Sequence, residues 1–211
     1  MSSSQKIPFG IPASIGRVES QPLDNLADRF PERVYLATHK HLQRPESEFT
    51  QAERDDIKKI LNPVHELVNQ YFLDAYGYPP YEIVTDFDTR TVEPQEAQRG
   101  GAWHRDQNRA SAIILISSQL TTRYLIGNNL NARESTYWSK RILDIPSFKN
   151  KTDVNQNAIT DGLQSRRLRV YQPDRYAVTI SDNYVHQSAT NRSGRALEKT
   201  WLRLFVFDHY R

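Results

Sequence analysis

Residues 200–207, Thr200-Trp201-Leu202-Arg203-Leu204-Phe205-Val206-Phe207, read as a strand and set the fold class. Trp201, Arg203 and Phe205 share one face and Leu202, Leu204 and Val206 the other, because strand side chains alternate with period two. An arginine central in so apolar a strand is expensive unless a carboxylate meets it. Working toward the N-terminus, short runs rich in Val, Ile, Tyr, Phe and Trp recur at 167–171, 175–180 and 184–188, and earlier at 81–86 and 112–117. Pro173-Asp174, Ser181-Asp182-Asn183 and Asn191-Arg192-Ser193-Gly194 divide them as turns.

Before residue 80 the period changes. Thr50 and Glu53 have capping-box spacing. Behind them Ile57, Ile60, Leu61, Val64, Leu67, Val68, Tyr71 and Phe72 form a stripe at helical spacing, with a kink expected at Pro63 and an end at Gly77 and Pro79-Pro80. Residues 23–43 read as two helices, the first with Leu23, Leu26 and Phe30, the second starting at Pro31 and carrying Val34, Leu36 and Leu42. The first 20 residues read as an irregular lead-in. Helices first and strands afterwards predict an α+β chain whose β part is a small barrel or sandwich. The expected division is a helical support region over 1–80 and a β core over 81–211, within one compact domain. Residues 127–165 fit neither pattern. They are rich in Asn and are expected to be a mobile excursion or lid.

Composition bounds the chemistry. The chain has 211 residues and no cysteine, which excludes disulfides, thiolate metal sites and cysteine nucleophiles. A hydrophobic fraction of 37% with 10% aromatics supports one modest core. No run is long and apolar enough to span a bilayer, and Met1 to Phe9 carry no apolar signal segment, so the expected location is cytoplasmic. The net charge of +3 is too weak to favour a nucleic-acid partner, with its densest basic run only Arg166, Arg167 and Arg169.

The segment Gly100-Gly101-Ala102-Trp103-His104-Arg105-Asp106 precedes the run at 112–117. In an extended backbone His104 and Asp106 point to one side. With His186, in Tyr184-Val185-His186-Gln187-Ser188, they would supply the two imidazoles and one carboxylate of a mononuclear non-heme iron site. A His-x-Asp tripeptide alone is nearly an accident of composition; the order and spacing with His186 and a later strand arginine give it weight. His104-Arg105-Asp106 also opens a protein-kinase catalytic loop, but that loop needs Asn where Ser111 stands. His39, His41 and His65 lie in segments read as helical and do not suggest a second metal site.

These residues resemble the Fe(II)/2-oxoglutarate-dependent dioxygenase superfamily, in its phytanoyl-CoA-hydroxylase-like or a related branch, over roughly residues 81–207. The Trp103-His104-Arg105-Asp106 opening and the His186-Gln-Ser-Ala-Thr-Asn191-Arg-Ser-Gly194 turn carry the resemblance. It implies a double-stranded β-helix of jelly-roll or cupin-like type, with the N-terminal helices packed on one sheet. It also implies an oxidoreductase, a hydroxylase in the first instance, with Fe(II) held by His104, Asp106 and His186. 2-Oxoglutarate would be co-substrate, alongside O2 and a small-molecule or carrier-bound substrate, with no nucleic acid and no membrane as partner. Arg203 is favoured as the arginine for the distal carboxylate and Arg195 is the alternative. The small hydroxyl residue usual two positions after that arginine is replaced by Phe205, so further co-substrate contacts are sought at Thr122 and Tyr124. Arg203 is expected on the same sheet face as His104 and Asp106. A non-catalytic cupin-like ligand-binding module is the competing reading.

Overall fold

The computed structural model describes residues 8–19, 34–37, 50–97, 101–105, 110–144, 154–182 and 184–207. In chain order it contains β1 (Ala13–Arg17), β2 (Val34–Ala37), α1 (Gln51–Tyr76), β3 (Glu82–Val92), β4 (Ala112–Ser117), β5 (Arg123–Gly127), α2 (Ala132–Leu143), α3 (Gln156–Gln164), β6 (Leu168–Tyr171), β7 (Ala177–Ser181), β8 (His186–Gln187) and β9 (Leu197–Phe207). The chain is mixed α/β, with two antiparallel sheets. One has six strands in the order β1-β7-β4-β9-β3-β2, and the other has three, β6-β5-β8.

The alternation read in the C-terminal run is realised in β9, at the centre of the larger sheet between β3 and β4. Leu202, Leu204 and Val206 pair across to Ile116, Ile114 and Ala112 of β4. With Val178 and Ile180 of β7 they pack against Leu61, Val64, Val68 and Phe72 of α1. Each such side chain, once buried, contributes about 1.5–3 kcal/mol. The stripe expected for α1 is the one that docks, although Glu53, Ile57 and Ile60 have side chains outside the described set. The helix runs through Pro63 and ends at Gly77, whose φ of +82° favours glycine at a helix C-terminus.

The opposite face of the same sheet is also buried. It carries Ile113, Ser117, Thr179, Ser181, Lys199, Trp201 and Arg203, all under 9% exposed. In the smaller sheet Leu125 and Leu168, with neighbouring Val185, pack on Trp138 and Ile142 of α2 and on Ala158 and Ile159 of α3. Tyr124 and Ile126 are buried on its other face. Each sheet thus has one helix-covered apolar face and further buried residues on the other, although Arg169 on the smaller sheet is exposed.

Four expectations change. The lead-in contributes β1, which pairs with β7. Val34–Ala37 is a strand beside β3 rather than part of a helix, so Val34 and Leu36 follow a period of two; residues 20–33 and 38–49, where the remaining helical readings fall, lie outside the described residues. β3 continues to Val92, and all eleven of its residues pair with β9. Finally, 127–165 contains two helices where no regular element was expected, with 145–153 outside the described residues. Asn131 caps α2 in a reciprocal box with Glu134, and the Asn155 side chain caps α3. Asparagines taken as loop formers are helix caps here, because their side chains satisfy the first free N–H groups. No helix among the described residues is long and apolar enough to cross a membrane.

Candidate metal centre

His104 and His186 are brought opposite each other by the backbone. His104 N–H donates to the His186 carbonyl, and His186 N–H donates to the His104 carbonyl, both at 2.9 Å. This is a hydrogen-bonded antiparallel pair, so both imidazoles leave the same face. Their ring centroids are 4.5 Å apart, inclined at 60°. The strand pair is fastened one step further by the Gln187 side-chain amide, which donates to the Gly101 carbonyl at 2.5 Å.

Each ring is oriented by its own strand. His104 Nδ1 lies 2.9 Å from the Ala102 carbonyl, and His186 Nδ1 lies 2.8 Å from the Tyr184 carbonyl. A carbonyl can only accept, so Nδ1 carries the proton and the lone pair stands on Nε2 in both residues. Two neutral imidazoles with Nδ1–H held by backbone carbonyls are the arrangement that metal-binding histidines use. His186 is 7% exposed and Tyr124 fully buried, with their ring centroids 6.1 Å apart. Asp106 lies outside the described residues, and among the described residues no group of three His, Cys, Asp or Glu side chains converges.

Two supports of this pair were not read from the sequence. Gln156, at the start of α3, donates from Nε2 to the Trp103 carbonyl at 2.7 Å and accepts from the Trp103 N–H at 3.3 Å. Its amide thereby acts as a short strand edge beside the residue preceding His104. Val185 N–H donates to the Pro8 carbonyl at 2.7 Å, and Gly10 packs so closely on the Tyr184 ring that a Cβ there would collide with it. The lead-in therefore presses on the segment whose carbonyl orients His186. Neither support has a sequence signature, since each joins groups that meet across a long separation in the chain.

Arg203 is not on the sheet of the histidines. It lies in β9 of the six-stranded sheet, whereas β8 belongs to the three-stranded one, so the expectation of a shared sheet face is corrected. The reason is topological: β8 and β9 are successive strands, and the chain crosses between sheets in the turn at 188–196. Arg203 is 7% exposed, with its guanidinium carbon 4.9 Å from the Trp201 ring centroid and 4.6 Å from that of Phe205. Cation–π contacts of this kind, at buried sites, contribute roughly 1–2 kcal/mol. Leu115 and Asp86 flank it in register on β4 and β3. Arg195 is exposed in the turn after β8, and its carbonyl accepts from Asn191 and Ser193 side chains. Thr122 precedes β5 and is half-buried, while Tyr124 stands opposite His186 in register.

Three solved structures align with this chain at low identity. AviO1 from Streptomyces viridochromogenes Tue57 aligns over 95% of this chain and 92% of its own, with 15% identity and a TM-score of 0.45. EvdMO1 aligns over 95% of this chain and 48% of its own, with 16% identity and a TM-score of 0.42, so the chain spans about half the length of EvdMO1. The non-heme iron oxygenase OrfP, in complex with Fe, succinate and (3S)-hydroxy-L-Arg, aligns over 89% and 77%, with 13% identity and a TM-score of 0.31. No family model and no curated protein matches the sequence. The chemistry of the site is therefore argued from its own residues.

Proposed function

We propose that this chain is an Fe(II)- and 2-oxoglutarate-dependent oxygenase, acting as a hydroxylase on a small-molecule or carrier-bound substrate, built on a double-stranded β-helix. The strand order supports the fold. Eight consecutive segments, β3, the His104 strand, β4, β5, β6, β7, β8 and β9, distribute between the sheets as sixth-third-eighth-first and fifth-fourth-seventh-second. That interleaving is what two Greek keys wound into a jelly roll require. The second buried faces of the two sheets would then enclose the site.

The single observation that carries the function is the carbonyl-oriented histidine pair. Two Nε2 lone pairs on one face, with the Asp106 carboxylate two residues after His104 in sequence, form the donor set suited to non-heme Fe(II). Bound there, iron would supply activation of O2 coupled to oxidative decarboxylation of 2-oxoglutarate. The protein's own part is different. The Ala102 and Tyr184 carbonyls hold each imidazole by its Nδ1 edge and leave Nε2 free to ligate, and Trp201 and Phe205 hold the Arg203 guanidinium out of water. Arg203 would bind the distal carboxylate of the co-substrate in two-pronged fashion, from the sheet opposite the histidines. Tyr124 and Ile126, buried on the histidine side, would help to exclude water from the space between the sheets.

The test is metal and co-substrate binding without turnover. Wild type should take up one Fe(II) anaerobically and develop a weak visible charge-transfer band when 2-oxoglutarate is added. His104→Ala or His186→Ala should abolish iron uptake while the circular dichroism spectrum persists, because the apolar clusters do not include these residues. A well-folded wild type that shows no band would instead support a binding module without iron.

A further inference from the structure

A cleft of about 380 Å3 lies where the β4–β5 connection, the β6–β7 connection and the loop from β8 to β9 meet. Arg123 and Arg192 both line it, together with Gln172, Leu120, Ala189 and Leu197, and among the described residues no Asp or Glu lines it. Among the described residues neither arginine makes an ion pair or a side-chain hydrogen bond. Their charges are close enough to repel: the Arg123 guanidinium is lowered from its ordinary pKa first by burial and then by the charge of Arg192. Arg192 is exposed and Arg123 half-buried, so two like charges meet at the mouth of the cleft, where a bound anion would offset their repulsion.

The walls are built to stay in place. Asn191 is fully buried, donating to the Val92 and Arg195 carbonyls at 2.8 and 2.7 Å and accepting from the Ser193 N–H and hydroxyl. On the other side the Thr121 hydroxyl donates to the Pro173 carbonyl at 2.7 Å, and the Gln172 amide donates to Thr121. Arg123 and Arg192 therefore extend from anchored backbone, which lowers the ordering cost of binding.

We infer that this cleft is a binding site for a small organic dianion, separate from the metal centre, with its oxyanion head group between Arg123 and Arg192 and a short apolar part against Leu120, Ala189 and Leu197. Guanidinium pairs grip phosphate and dicarboxylate alike, and the volume is that of a small-molecule pocket. The inference does not depend on iron.

Calorimetric titration of the metal-free chain with inorganic phosphate and with malonate, at constant ionic strength, tests it. At least one of the two should bind, and the stronger one identifies the head group as phosphoryl or dicarboxylate. Arg123→Gln and Arg192→Gln should each weaken that binding at least about tenfold, the loss of one charge-assisted contact. Arg203→Ala should leave it unchanged; loss of binding in that variant would mean the anion sits in the co-substrate pocket and would overturn the inference. Binding of neither probe, or equal binding by wild type and the double Arg→Gln variant, also overturns it. A second readout needs no ligand. At low salt Arg192→Gln should raise the Tm by relieving repulsion, and a lowered Tm would show that Arg192 makes a stabilising contact instead.

Discussion

The two faces of the six-stranded sheet are made by alternate residues of the same strands, yet they obey different rules. Toward α1 the buried positions are mostly apolar, Leu202, Leu204, Val206, Ala112, Ile114, Ile116, Val178 and Ile180, with Thr85 and Thr200 among them. On the other side, equally buried, they include Lys199, Trp201, Arg203, Ser117, Thr179 and Ser181. Burial is the same; chemistry is not. An apolar face lowers the free energy of folding directly, whereas a buried face with hydroxyls and cations costs desolvation that must be offset by partners or by a ligand. The contrast separates a mainly apolar face from one that carries buried cations and hydroxyls, and it does so within single strands.

Substitutions in β9 should split along this line, and two of them give the largest effects. Arg203→Ala should weaken 2-oxoglutarate by a factor between about thirty and several thousand, on the order of 2–5 kcal/mol for a buried charge left without its partner. Anaerobic titration in the presence of iron reads this, and iron binding itself should survive. Arg195→Ala, in the exposed turn, should do little; the opposite ranking of the two arginines would move the clamp into that turn. Leu204→Ala, one residue along, should instead cost about 2–5 kcal/mol of stability in urea unfolding, through lost burial and a cavity under α1. Its co-substrate affinity should stay near wild type in the folded protein. If Leu204→Ala impaired binding as much as Arg203→Ala, the division between the faces would fail.

Smaller effects come from one threonine on each face. Thr85 pairs with Leu204 in register on the α1 side, Thr179 pairs with Leu115 on the other, and both are fully buried. Among the described residues neither hydroxyl has a hydrogen-bond partner. Replacing a buried hydroxyl that lacks a partner with a methyl group of the same shape should raise stability by about 1 kcal/mol. Thr85→Val should show this gain at no cost in binding. Thr179→Val should show the same gain in the ligand-free chain; a loss there would mean that the hydroxyl is engaged and that the second face is more fully satisfied than the contrast supposes.

The smallest effect belongs to α1 itself. Burial lowers the pKa of His65 from its ordinary value of 6.5, and among the described residues its buried Nε2 has no partner. The unfolded chain therefore binds this proton at higher pH than the folded chain does. Stability should be fully present above about pH 6.5 and decline as pH falls below it, until the folded pKa is passed. His65→Gln should flatten that part of the stability–pH curve measured by urea midpoints. An unchanged slope would show that other groups dominate.

Much of this architecture could be read from sequence where one periodicity was uninterrupted. The α1 stripe from Leu61 to Phe72 and the alternation of β9 appear in the structure with the faces expected of them. The 127–165 stretch was misread because Asn131 and Asn155 serve turns and helix caps equally well, and only the residues that follow decide between them. Asn131 with Glu134, followed by Trp138 and Ile142, did carry that signal. Of the candidate site, the residue types were legible and the support was not: nothing local in the sequence points to Gln156 beside Trp103 or Pro8 beside Val185.

The sequence by itself determined which face each β9 residue occupies, since alternation is a local property of an extended chain. It also determined that His104 and His186 were available as ligands and that thiolate chemistry was not. Only the tertiary structure decided that these two histidines face each other as a hydrogen-bonded pair, that carbonyls set both tautomers, and that Arg203 sits on the other sheet. The same is true of Arg123 and Arg192, about seventy positions apart and drawn into one cleft. Pairing between distant strands depends on which surfaces bury one another, and no window of neighbouring residues contains that information.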